Sequence, residues 1–295
     1  MIFSSSSGLQ MGLLVLKYYF SKVYLIRKKY SEEIMAVLND VKRIVVKVGT
    51  SSLTHSTGKV NIRQMKKLVT VISDIVNSGI EVALVTSGAI AVGVGKLGLK
   101  ERPTTTAGKQ AVATVGQCEL MFMYDKMFDE YGHTIGQFLI TKRDVDNDES
   151  RENLVNAFEK TFEFGSIPVI NENDVVAIEE IVYGDNDNLS AIVAKLINAD
   201  ALLILTDIDG LYDKNPKEDE YARIIPVVEE ITLGLYEIAG GKGSKFGTGG
   251  MITKLQAAQT ATEAGIDTIL MNGAEPENIY KVLEGHQVGT FFVAK

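Results

Sequence analysis

The sequence predicts a three-layer α/β/α sandwich on a mainly parallel central sheet. Three observations predict it. From Arg43 onward, short strand-like runs alternate with helix-like segments. The strand runs are apolar at successive positions, as strands covered on both faces are. A chain of 295 residues at 45% hydrophobic content can bury a large core.

Each element follows from local pattern. Arg43 to Val48 is a β-branched run that ends in Gly49-Thr50-Ser51-Ser52. Asn61 caps a helix whose apolar positions, Ile62, Met65, Leu68, Val69, Ile72, Ile75 and Val76, keep the 3.6 period and stop at Gly79. Strands are expected at Glu81 to Thr86, Thr134 to Ile140, Ile167 to Ile170, Ala201 to Thr206, Thr268 to Met271 and Thr290 to Val293. Helices are expected at Ala107 to Tyr131, Glu149 to Phe164, Leu189 to Asn198, Thr253 to Ala264 and Glu277 to Glu284, with a hairpin over Val175 to Val182. No repeat, low-complexity linker or Pro-rich joint divides the chain, so residues 35–295 read as one continuous fold with two lobes. Ligands are expected outside the carboxyl ends of the strands.

Residues 1–34 differ from the rest. Leu13 to Ile26 is apolar, but Lys17 and Lys22 interrupt it, the run is short for a bilayer span, and no small-residue cleavage site precedes Arg27-Lys28-Lys29. An interfacial amphipathic anchor is one reading. The preferred reading is an N-terminal extension outside the natural protein. Met35 stands just before the first core strand, and Ser31-Glu32-Glu33-Ile34 matches a purine-rich ribosome-binding sequence read in frame.

A net charge of −8 argues against nucleic acid or an anionic membrane as the main partner. The single cysteine, Cys118, has no intramolecular disulfide partner, which points to reducing cytoplasm, and its helical context reads as an inert core thiol. His55, His133 and His286 fit no metal-ligand spacing, and no protein metal site is expected.

Two polar clusters at element ends stand out. Tyr183-Gly184-Asp185-Asn186-Asp187-Asn188 runs into an apolar helix, and Asn171-Glu172-Asn173-Asp174 follows a buried strand. One Asp or Asn there would be an ordinary cap, but four in a row exceed what capping requires. The clusters read as two sides of one small-molecule site. Gly93-Val94-Gly95-Lys96-Leu97-Gly98 has dinucleotide-fingerprint spacing but lies too far past its strand, and reads as a close-packed helix or turn. No Walker A loop is present. Lys47 in an apolar strand could snorkel or mark an edge, but followed by Gly49, Thr50 and Ser51 it reads better as a phosphate contact. Gly247-Thr248-Gly249-Gly250-Met251-Ile252-Thr253-Lys254 opens a helix with bare backbone N–H groups suited to an anion.

Taken in order, Lys47-Val48-Gly49-Thr50-Ser51, Thr86-Ser87-Gly88-Ala89, Asn171 to Asp174, Gly184 to Asn188, Leu205-Thr206-Asp207 with Gly210-Leu211-Tyr212, and Gly247 to Lys254 resemble the glutamate 5-kinases of the amino acid kinase family. The resemblance runs from about residue 40 to the C-terminus. It implies the amino acid kinase fold and ATP-dependent phosphorylation of the L-glutamate γ-carboxylate to L-glutamyl 5-phosphate, the first step toward proline. N-acetylglutamate kinase and a non-catalytic sensor on the same fold are the alternatives. Many members carry a C-terminal PUA domain; this chain ends where that domain would begin. The resemblance implies Lys47 and Lys254 as contacts to the transferring phosphoryl, with Asp187 orienting them. It places Gly49, Thr206, Asp207, Thr248, Gly249, Gly250, Met251, Ile252 and Thr253, with both lysines, on ATP, and Mg²⁺ on the ATP phosphates. On the amino acid side, Asp174 and Asp185 suit the α-ammonium, and Ser87, Gly88, Asn171 and Asn186 are expected to donate to carboxylates. Feedback inhibition by L-proline, glutamate-5-semialdehyde dehydrogenase as a pathway partner, and a homo-oligomer complete the implied picture.

Overall fold

The computed structural model describes residues 40–55, 57–177, 186–240 and 250–295. The segment 1–34 and the greater part of the expected hairpin lie outside the described residues. In chain order the elements are β1 Arg43–Val48, α1 Thr50–Leu53, α2 Ile62–Asn77, β2 Glu81–Val85, α3 Ala89–Leu97, α4 Thr106–Asp129, β3 Ile135–Ile140, α5 Lys142–Asp146, α6 Asp148–Glu163, β4 Ile167–Glu172, α7 Asn186–Leu196, β5 Ala201–Thr206, β6 Val227–Val228, α8 Leu233–Gly240, α9 Met251–Thr262, β7 Asp267–Asn272, α10 Asn278–Leu283 and β8 Thr290–Phe292.

The eight strands form one sheet in the order β3-β4-β2-β1-β5-β7-β8-β6. Most pairs are parallel. β8 departs from the expectation by running antiparallel to β7. α10 with a short segment on either side links the two, and β8 lies between β7 and the two-residue edge strand β6.

Side-chain alternation divides the core between two faces. Ile44, Val46 and Val48 of β1 pack with Leu68 and Ile72 of α2, with Leu120 and Phe128 of α4, and with Ile279 of α10. Val45 points the other way, into Leu189 and Val193 of α7, Leu255 and Ala258 of α9, and Phe158 of α6. These are the outer layers of the predicted sandwich. The same period-two rule sends Lys47 to the α7 and α9 side with Val45. Because β1 lies between β2 and β5, Lys47 occupies a central strand, which removes the edge-marker reading.

Helix starts follow the expected chemistry. Asn61 Oδ1 accepts from Gln64 N at 3.2 Å and Asn147 Oδ1 accepts from Ser150 N at 2.9 Å, capping α2 and α6. Boundaries shift at two places that matter for the site. β2 ends at Val85, so Thr86 opens the loop, and α7 begins at Asn186, so Asn186 and Asp187 occupy its first turn. Cys118 is exposed on α4, which corrects the expectation of a core thiol: the face of this helix that packs inward carries Ala113, Gly116, Leu120 and Tyr124 instead.

Within the 93–98 stretch, Gly93 serves helix packing, while Gly95 lies against the backbone at Gly58 and Gly98 ends the helix with a left-handed φ of 65°. A Cβ on Gly93 would lie 2.1 Å from the carbonyl oxygen of Val112, and one on Gly116 would lie 1.7 Å from that of Ala89. α3 and α4 therefore touch backbone to backbone, and α3 is held tightly behind the end of β2. At the opposite end of the sheet, Arg43 bonds Glu81 and Glu159 and donates to the Ile197 carbonyl just past α7.

Two outcomes are expected. Gly116→Ala must force these helices apart and should lower unfolding stability by about 1–3 kcal/mol in urea titrations, whereas exposed Thr114→Ala should not. The Arg43 hydrogen bond holds the Glu159 carboxyl below its usual range. A depressed carboxyl contributes stability above its unfolded pKa of about 4.3 and loses it as pH falls through the folded value. The stability difference between wild type and Glu159→Gln should therefore be present at pH 7 and vanish in acid, as measured by melts across pH.

Candidate active site

β1 is where strand order reverses: β2 lies on one side of it and β5 on the other, which opens a crevice at the carboxyl ends. Four segments reach that edge: Lys47 to Gly49 from β1, Thr86 to Gly88 from β2, Asn171 to Asp174 from β4, and Thr206 with Asp207 from β5. The first turns of α7 and α9 meet them there.

At the centre is a buried carboxylate between two lysines. Asp187 is fully buried, Lys47 is 2% exposed and Lys254 8% exposed. Lys47 Nζ lies 2.5 Å from Asp187 Oδ1, an ion pair rather than a well-angled hydrogen bond. Lys254 Nζ donates to Asp187 Oδ2 at 3.0 Å. Thr253 Oγ1 lies 2.9 Å from the same oxygen and 2.8 Å from the Gly250 carbonyl. Asp187 sits in the first turn of α7, where the positive helix end favours a negative charge. Two ammonium groups face one carboxylate, so these three side chains carry an excess of one positive charge, suited to an anion. A Cβ on Gly49 would stand 3.9 Å from Lys47 Nζ, so the loop after β1 runs close over that lysine.

Beside this triad a chain of carboxamides joins β2, β4 and α7. Asn186 Nδ2 donates to the Thr86 carbonyl at 2.6 Å, to Asn171 Oδ1 at 2.8 Å and to Ser87 Oγ at 3.0 Å. Asn171 Oδ1 also accepts from Glu172 N at 2.9 Å, and Asn171 Nδ2 donates to Gln117 Oε1 at 2.8 Å. The NH₂ groups of Asn171 and Asn186 thus already donate within the protein. The Asn186 NH₂ has both hydrogens engaged, which leaves none for the substrate carboxylates it was expected to meet, while Asn171 Nδ2 shows one bond of the two it can make. Gly88 takes a left-handed φ of 97° at the start of α3, a conformation natural to glycine, and turns the chain there.

A cavity of about 670 Å³ gathers Ser87, Gly88, Asn171, Asp174 and Asn186 along its wall. Arg102 and Thr104, from the segment between α3 and α4, and Lys109, from the first turn of α4, line it too and escaped the sequence reading, because that segment has no periodicity and a lysine near a helix start reads as solvated. A larger cavity of about 820 Å³ adjoins it at the β3 edge and shares Glu172. Its lining includes none of the five described residues expected to bind substrate, so the smaller cavity is the candidate amino acid site.

On the other side of β1, Thr206 is buried at the end of β5 and its Oγ1 donates to Asp207 Oδ1 at 3.1 Å, while Asp207 is exposed. Gly250 is the residue before α9, and Met251, Ile252 and Thr253 form its half-buried first turn. Asp185, Thr248 and Gly249 lie outside the described residues.

Residues 42–272 match the amino acid kinase family. The chain belongs to the amino acid kinase family. Within it, this family member is 54% identical over 262 residues to the glutamate 5-kinase of Clostridium perfringens (strain 13 / Type A), a match covering 88% of this chain and 97% of that protein. It is 52% identical to the glutamate 5-kinase of Listeria innocua, over 88% of this chain and 95% of that one. Among solved structures it resembles UMP kinase from Bacillus anthracis, with a TM-score of 0.59 at 18% identity over 86% of this chain and 96% of that one. An isopentenyl phosphate kinase gives a TM-score of 0.58 at 16% identity, over 84% and 99%. At such identities these structures show the shared fold alone.

Asp187→Asn should remove the buried carboxylate charge that both lysines face. Unfolding stability should fall by about 3 kcal/mol, read by denaturant titration, and addition of an anionic ligand such as ATP should recover part of that loss.

Proposed function

We propose that this amino acid kinase transfers the γ-phosphoryl group of ATP to the γ-carboxylate of L-glutamate, giving L-glutamyl 5-phosphate and ADP. The observation that carries the reading is the 54% identity to a glutamate 5-kinase across nearly its whole length. The site geometry accords with the chemistry. A glutamate side chain, with a pKa of about 4.3, is ionised at neutral pH, so its attack needs no general base. What opposes the reaction is charge repulsion, since a carboxylate must approach a triphosphate. The carboxylate oxygen forms the new P–O bond while the bond to the ADP oxygen breaks, and no proton moves from the nucleophile.

In this reading Lys47 and Lys254 stabilise the phosphoryl group in transit, each set by its contact with Asp187. Thr206, Asp207 and the segment 248–254 hold ATP on the β5 side of β1, with Gly49 close to the phosphates. Mg²⁺ carried with ATP would offset part of the phosphate charge; both Asp187 oxygens are paired with lysines, so Asp187 is not the carboxylate that would support it. Glutamate occupies the 670 Å³ cavity on the β2 and β4 side. Its ammonium group faces Asp174 and Asp185, and its carboxylates find Ser87, the backbone at Gly88, and the cationic wall of Arg102 and Lys109. N-acetylglutamate lacks the ammonium charge that this acidic side rewards.

L-Proline shares the α-amino and α-carboxylate groups of glutamate, and we include it as a competing feedback inhibitor. The acyl phosphate product is reactive toward water, which suits a reductive partner such as glutamate-5-semialdehyde dehydrogenase, in the cytoplasm. Among the described residues no helix is long and apolar enough to cross a membrane. Exposed Phe122 on α4 accords with a homo-oligomer.

ADP release with L-glutamate, ATP and Mg²⁺ tests the reading directly, and turnover with N-acetylglutamate exceeding that with glutamate would overturn it. Lys47→Met and Lys254→Met should each lower kcat by about 10²- to 10³-fold, by analogy with losing one preorganised donor, with little change in glutamate KM. Proline should raise the apparent KM for glutamate and lose its effect at saturating substrate.

A further inference from the structure

The polarity of the carboxamide chain is set by two backbone groups. The Glu172 N–H can only donate, so the Asn171 atom that meets it is Oδ1. The Thr86 carbonyl can only accept, so the Asn186 atom that meets it is Nδ2. Asn171 must then turn its NH₂ toward α4, where it meets Gln117 Oε1 at 2.8 Å. With its own NH₂ committed inside the protein, Asn186 has only Oδ1 left for a ligand in the cavity it lines.

Gln117 is an unusual residue for the face of α4 that packs inward. Its Nε2 is buried with no partner among the described residues, a cost that an apolar side chain would avoid. What Gln117 supplies in return is the acceptor for Asn171. Two helical turns on, the buried Tyr124 shares a 2.9 Å hydrogen bond with Thr86 Oγ1, so the same helix face braces both strands from which the chain hangs.

We propose that Gln117 is a positioning residue for amino acid recognition: through Asn171 it fixes the Asn186 carboxamide so that Asn186 meets the substrate as an acceptor and favours a free α-ammonium group. The proposal rests on glutamate occupying the cavity on the β2 and β4 side. Without Oε1, the Asn171 NH₂ loses its acceptor on α4, and only the Glu172 N–H still holds that amide in place. The Asn171 Oδ1 seat for the Asn186 NH₂ then loosens, and the Asn186 carboxamide, left to Thr86 and Ser87, presents its Oδ1 less firmly.

The test is a double-mutant cycle with Gln117→Met and Asn186→Ala, measuring kcat, both KM values and the preference for glutamate over N-acetylglutamate. Gln117→Met should raise the glutamate KM about tenfold, the scale of one hydrogen bond, and reduce that preference, with ATP KM and kcat little changed. The double variant should be no worse than Asn186→Ala alone. Gln117→Glu, which keeps an acceptor facing Asn171, should restore the glutamate KM. A normal glutamate KM in Gln117→Met, full additivity in the double variant, or an equal rise in ATP KM overturns the positioning role. A normal KM in Asn186→Ala overturns the placement of substrate itself, and the relay with it.

Discussion

The structure depends on one costly interaction, the burial of Asp187 between Lys47 and Lys254. Each charge removed from water costs several kcal/mol unless it is paired, and removing one member strands the others. Three elements distant in sequence must therefore arrive together: the central strand β1, the first turn of α7 and the first turn of α9. The sheet supplies this arrangement. β1 is locked on both sides by parallel pairing, alternation turns Lys47 to the face that α7 and α9 cover, and the alanine-rich inner surfaces of those helices let them lie close to one another.

Around the ion cluster the two sides of the crevice are held differently. The β2 and β4 side is braced by backbone contact between α3 and α4 at Gly93 and Gly116, and by the hydrogen-bonded chain from Gln117 through Asn171 to Asn186. Amides held at both ends can discriminate, because a ligand that mismatches them leaves a buried polar group unsatisfied. The other side rests on local contacts, Thr206 to Asp207 at the end of β5 and Thr253 to Gly250 at the start of α9. Asp187 and Asn186 are adjacent on α7, so the group that faces both lysines and the group that lines the 670 Å³ cavity share one turn. A shift of α7 would disturb phosphoryl transfer and recognition together.

Most of the framework was legible in the sequence because it rests on local patterns. Apolar runs such as Ala201–Thr206 and periodic helices such as Ile62–Asn77 signal themselves whatever surrounds them. The polar clusters at 171–174 and 185–188, and Lys47 in an apolar strand, were legible for a related reason: charge at such positions is too costly to lack a purpose. Other features had no local signature. The outward placement of Cys118, the antiparallel β8 and the short elements α5, β6 and α8 follow from what neighbouring segments cover. Gln117 could have been found as a polar residue in register with the buried positions of α4, two turns before Tyr124.

Composition and order of residues by themselves determined the class of fold, the strand ends that bear chemistry, and the identity of the charged groups, since burial cost and backbone period act on neighbours along the chain. Only the tertiary structure decided which of those groups meet. It set Asp187 against both lysines, turned the Asn186 NH₂ inward, brought Arg102 and Lys109 to the cavity on the β2 and β4 side, and set Gln117 against Asn171. Hydrogen bonds and ion pairs are short-ranged and directional, and their partners here lie tens of residues apart, so pairing and polarity exist only once the sheet has brought its carboxyl ends together.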